Sequence, residues 1–117
     1  MRTFRNLNGT IMHKNCPLIA FIIEKGKVVK LQKLSEKLPY EFQCKVDDEE
    51  ALLYFLDDRV IPETRIGIQK ELQSVGIPYF DPDRILKYNN GSAATDDYWV
   101  KFEDGVQKFE DLKIKQR

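Results

Sequence analysis

The residue order predicts an α+β domain: a small antiparallel N-terminal sheet, three helices and a C-terminal β-hairpin. Three observations carry that expectation. From Thr10 to Leu34 the apolar residues recur with a period of two and β-branched residues are frequent, which suits half-buried strands. Between Val60 and Gly76 the stretch VIPETRIGIQKELQSVG has both ends of a helix, with Pro62 for the first turn and Gly76 for a left-handed close. Towards the C-terminus, Tyr98 to Phe102, Asp104-Gly105 and Val106 to Phe109 read as strand, tight turn and returning strand.

Taken in order, Asn8-Gly9 is a turn signal that admits a further strand over Arg2 to Leu7. Thr10 to Lys14, Leu18 to Glu24 and Lys27 to Leu31 follow as strands, the last two joined through Lys25-Gly26. Ser35 to Cys44 reads as a short edge strand, because Leu38-Pro39 forces an extended segment and Tyr40 and Phe42 alternate with polar neighbours. Asp47 with Glu50 three residues on is a capping-box pattern, and Leu52, Leu53, Phe55 and Leu56 form the buried face of the helix it opens. In the Val60 to Gly76 helix, Ile61, Ile68, Leu72 and Val75 make one apolar stripe, with Arg65 and Ile66 on its flank. A third, short helix lies in DPDRILKYNNG, capped by Asp81, entered through Pro82 and stopped at Asn90-Gly91.

A chain of 117 residues with 42% hydrophobic and 32% charged residues is expected to fold as one domain around a single core. Two cysteines, Cys16 and Cys44, suit a reducing compartment and inert core thiols better than a disulfide framework. No apolar run approaches a membrane span, so the cytoplasm is the expected location. The formal net charge is zero, yet residues 1 to 45 carry nine Lys or Arg against Glu24, Glu36 and Glu41, and the remainder holds the balancing acids. Two readings stand. The lysines are the solvated side of a sheet, or Arg2, Arg5, Lys14, Lys25, Lys27, Lys30 and Lys33 form a basic surface for an acidic partner or nucleic-acid phosphates.

Few residues have the neighbours that catalysis or metal binding needs. His13 stands three residues before Cys16, but a zinc site needs three or four ligands and Cys44 is the only other soft donor. His13 is also the only imidazole that could activate a nucleophile. The six glycines are scattered, with no phosphate-cradling motif, and Asp57-Asp58 and Asp96-Asp97 read as solvated or capping residues. No catalytic residue, cofactor or metal is therefore expected. Tyr98 and Trp99 are neighbours on a strand, so one faces in and the other out. Trp99 is then either an exposed interface anchor or the plug of the C-terminal hairpin.

The series LLYFLDDRVIPETRIGIQKEL, SVGI and DPDRILKYNNG resembles the N-terminal module of HipA-type kinases. The resemblance includes Asn8-Gly9, Leu38-Pro39, Ile61-Pro62-Glu63 with Arg65, then Thr95-Asp96-Asp97-Tyr98-Trp99 and Phe109-Glu110-Asp111-Leu112, and so spans nearly the whole chain. The SAAT loop after Gly91 departs from the pattern. The family's kinase motifs belong to a downstream domain absent from these residues, so phosphotransfer is not carried over. What the resemblance implies is a non-enzymatic, antitoxin-like regulatory module, similar to free-standing HipS-like antitoxins, that docks on a separate HipA-like serine/threonine kinase. Arg65, Tyr98 and Trp99 are the expected contact residues. The alternative is a nucleic-acid-associated accessory protein of a mobile element.

Overall fold

The computed structural model describes residues 4–44, 47–93, 96–103 and 105–112; Arg2 lies outside them, and of the strand expected over Arg2 to Leu7 only Leu7 is strand among the described residues, since Phe4, Arg5 and Asn6 precede β1. Among them the fold is α+β. Strands β1 (Leu7–His13), β2 (Cys16–Glu24), β3 (Lys27–Lys33) and β4 (Tyr98–Phe102) form one antiparallel sheet in the order β3-β2-β1-β4. Four helices accompany it: α1 (Tyr40–Cys44), α2 (Asp48–Asp57), α3 (Ile68–Ser74) and α4 (Pro82–Asn89). The helices bury one sheet face, where Leu7, Ile11, Ile19, Phe21, Ile23, Val100 and Phe102 meet Leu52, Phe55, Leu56, Ile61, Leu72, Ile85 and Leu86 in the main core. No helix of the described residues is long and apolar enough to cross a membrane.

Asn8-Gly9 is not a turn. Both residues lie inside β1, opposite Ile22 and Phe21, and Gly9 is there because β4 passes close by. A Cβ at Gly9 would stand 3.0 Å from Val100 Cγ1 and 3.1 Å from the Lys101 carbonyl oxygen. The expected edge strand over Ser35 to Cys44 is replaced at its end by α1. Pro39 sits just before that helix, where a missing N–H is harmless, and the Gln43 side chain donates to the Leu38 carbonyl at 2.9 Å. Helix α2 starts as the sequence indicates, with the Asp47 carboxylate accepting from the Glu49 N–H.

The stretch from Val60 to Gly76 is only half helix. Arg65 N–H donates to the Pro62 carbonyl and Ile68 N–H to that of Arg65, so residues 62–68 form successive turns. Gly67 takes φ +80°, a left-handed step that ends those turns, and regular helix begins at Ile68. Ile61, Ile68 and Leu72 are buried as expected, but Val75 is exposed. The close at Gly76 holds: with φ +85° it lets the Ile77 N–H reach the Leu72 carbonyl at 2.8 Å.

β4 does not turn back into a hairpin. It joins the N-terminal sheet beside β1, and after it the Gln107 amide donates to the carbonyls of Phe102, Glu103 and Gly105, which curls the chain instead of extending it. A 3-10 turn over Phe109–Asp111 follows, tied to the β1–β2 turn: the Phe109 N–H donates to Asn15, and the Asn15 amide to Glu110.

Candidate docking surface

The loop between α2 and α3 is held at its start by Arg59. Its side chain is 7% exposed and meets Asp96 through two bonds, 2.9 Å and 2.6 Å, in the forked geometry a guanidinium offers a carboxylate. The same group donates to the carbonyls of Gly91 and Tyr98, and its carbon lies 4.7 Å from the centre of the Phe55 ring. The Arg59 carbonyl in turn accepts from the buried Asn89 amide at 3.0 Å, while Asn89 Oδ1 accepts from the Gly91 N–H. One side chain thus joins the end of α2, the end of α4 and the start of β4.

From this anchor the loop dips into the core through Val60 and Ile61, climbs out, and re-enters at Ile68. At its crest Ile66 is 99% exposed, beside Arg65, whose guanidinium pairs with Glu71 at 3.5 Å. An isoleucine placed wholly in water between two buried anchors presents about a full side chain of unburied apolar area, worth roughly 1.5–3 kcal/mol when a partner covers it.

The other expected contact residues do not join this surface. Trp99 is 0% exposed, and its indole N–H donates to the Lys14 carbonyl at 2.6 Å, so it is a plug and not an exposed anchor. Its register partner is Met12, also buried, which puts both on the sheet face opposite the main core, at the end where Asn15 ties down the C-terminal turn. Tyr98 points to the helical side and is half-buried, packed at 4.9 Å on His13 and edge-on at 6.2 Å to Phe55.

The basic residues divide between the β3 edge and separate positions elsewhere. Arg5 bonds Asp81 at 2.9 Å, and the charge of Asp81, then that hydrogen bond, raise its pKa; its N–H and that of Asn6 also donate to Asp83. Lys14 is in the β1–β2 turn and Lys25 in the β2–β3 turn, at opposite ends of the nine-residue β2, about 30 Å apart at 3.3 Å per residue. Lys27, Lys30 and Lys33 lie along β3, and Lys33 pairs with Asp48 at 2.9 Å.

Both cysteines are free and exposed, not core thiols, because Cys16 stands at the rim of the sheet and Cys44 ends α1. There the Tyr40 hydroxyl donates to the Cys44 sulfur, and that hydrogen bond, then the charge of Cys44, raise the tyrosine pKa. Cys16 faces His13 across the strand pair, and with Tyr98, Ser35 and Lys37 they line a cleft of about 160 Å³. Among the described residues no three His, Cys, Asp or Glu converge as a metal set.

Sequence reasoning missed the Arg59–Asp96 pair and the crest at Ile66. Asp96 reads from the sequence as solvated or capping; it accepts from the Tyr98 N–H at 3.0 Å as a cap does, and it also holds Arg59. Compared with family models, curated proteins and solved structures, the chain finds no match.

Proposed function

We propose that this chain is a non-enzymatic, protein-binding regulatory module of the antitoxin kind, acting in the cytoplasm by docking on a separate HipA-like serine/threonine kinase. The observation that carries the reading is the loop crest, where Ile66 stands fully in water beside Arg65 on a segment fixed at both ends. A lone exposed isoleucine needs no explanation by itself. Here it lies inside DDRVIPETRIGI, one of the stretches that carry the resemblance to HipA-type modules, and the buried Arg59 of that stretch holds the loop in place. A held loop loses little conformational freedom on docking, and arginine beside an apolar side chain is a frequent interface anchor.

The nucleic-acid alternative draws less support, because Lys14 and Lys25 sit at opposite ends of the sheet and Arg5 and Lys33 are paired with acids. Affinity capture from native lysate tests the reading, with bound proteins identified by mass spectrometry. The tagged chain is expected to retain a HipA-like kinase, and the Ile66→Asp variant to lose it. Recovery of nothing but nucleic acid that washes off with salt is the contrary result.

A further inference from the structure

We propose that the outer edge of β3 is a strand-addition site for an extended acidic segment of a partner protein. This surface is separate from the Arg65–Ile66 crest, and the inference does not depend on the kinase reading. The sheet order puts β3 last, with no strand beyond it among the described residues. The opposite edge is closed differently: on β4 the Val100 N–H donates to the Asn90 carbonyl at 2.7 Å, and Gly91 packs against the Val100 side chain.

On β3 the Leu34 N–H points inward, to the Leu18 carbonyl at 2.7 Å. Backbone groups alternate along an antiparallel strand, so those of Leu31 and Lys33 point away from β2, towards the place of an added strand. The side chains there are accessible, with Val29 54% and Leu34 46% exposed and Lys27, Lys30, Gln32 and Lys33 in solvent.

The charge chooses the occupant. Lys25, Lys27, Lys30 and Lys33 line the β2–β3 turn and the edge; the acids nearest them in sequence are Glu24 before the turn and Glu36 after the strand, and Asp48 at the start of α2 is paired with Lys33. Edge lysines repel a second copy of the same strand. The same charges match a strand carrying Glu or Asp at alternate positions on the face of Lys30, with apolar residues between them on the face of the half-buried Val28 and Leu31.

The test titrates the isotope-labelled full chain with a capped peptide of alternating glutamate and valine, following amide exchange by NMR. The amides of Leu31 and Lys33 are expected to exchange about tenfold more slowly at saturating peptide, and the lysine-valine counterpart to have no such effect. The double variant Lys27→Glu, Lys30→Glu, with β1 and β2 resonances unchanged, is expected to reverse that preference. The inference is overturned if these amides are unaffected, if both peptides act equally, if the chain protects them by self-association without peptide, or if a short DNA duplex occupies them more tightly than the peptide.

Discussion

Arg59 shows what one side chain can do for an irregular segment. Its guanidinium is nearly out of water, so removing Asp96 leaves a buried charge without its counter-ion. For a fully buried pair that costs about 3–5 kcal/mol, and because Asp96 is 33% exposed we expect about 2–3 kcal/mol for Asp96→Ala, measured by urea unfolding. A loss under about 1 kcal/mol would show that the pair contributes little. Trp99 makes a second case. As a buried plug with a bonded indole, Trp99→Ala is expected to cost about 3–5 kcal/mol, and Trp99→Phe about 1–2 kcal/mol through the orphaned Lys14 carbonyl. A Trp99→Ala variant as stable as the parent contradicts that placement. The residues alone gave no sign of the Arg59 role, and for Trp99 they left plug and exposed anchor both open. Alternation along a strand says that Tyr98 and Trp99 face opposite ways, but not that both faces of the sheet are covered at that end. Likewise nothing in DDR marks which charge is buried, since Arg59 meets an acid 37 positions away.

At the scale of elements, local signals were reliable where local physics decides. The Asp47 cap, Pro82 in the first turn of α4, Asn90 in the left-handed region and the Gly76 close all formed where the residues put them. They went astray where one glycine had two uses. Gly9 reads as half of a turn, whereas it serves a close approach to β4; Gly67 reads as helix interior, whereas its positive φ divides loop from helix. The C-terminal strand was visible, but its partner was not, because pairing with β1 spans most of the chain and leaves no local trace. Two alanine substitutions separate strain from crowding. Gly67→Ala meets open space and suffers only the left-handed penalty, about 1 kcal/mol. Gly91→Ala shares a positive φ, and its Cβ would also lie 2.7 Å from Val100 Cγ2, so the loss should exceed that of Gly67→Ala by about 1–2 kcal/mol. Equal melting temperatures for the two variants would show that β4 yields at no cost.

For the whole molecule, the helices cover one sheet face, the C-terminal turn is tied at one end of the other, and the loop crest and the β3 edge face solvent. The charge asymmetry along the sequence becomes dispersed pairs, as in Arg5 with Asp81 and Lys33 with Asp48, plus a basic edge. The crest is the surface on which the docking account depends. Ile66 touches no core, so Ile66→Asp should change stability by less than about 0.5 kcal/mol. The most direct measurement is a calorimetric titration of the purified HipA-like kinase with the parent chain and with Ile66→Asp, both shown to unfold alike. The docking account predicts binding by the parent and at least about a tenfold weaker Kd for the variant. Equal affinity of the two chains, or no binding by the parent, would contradict it.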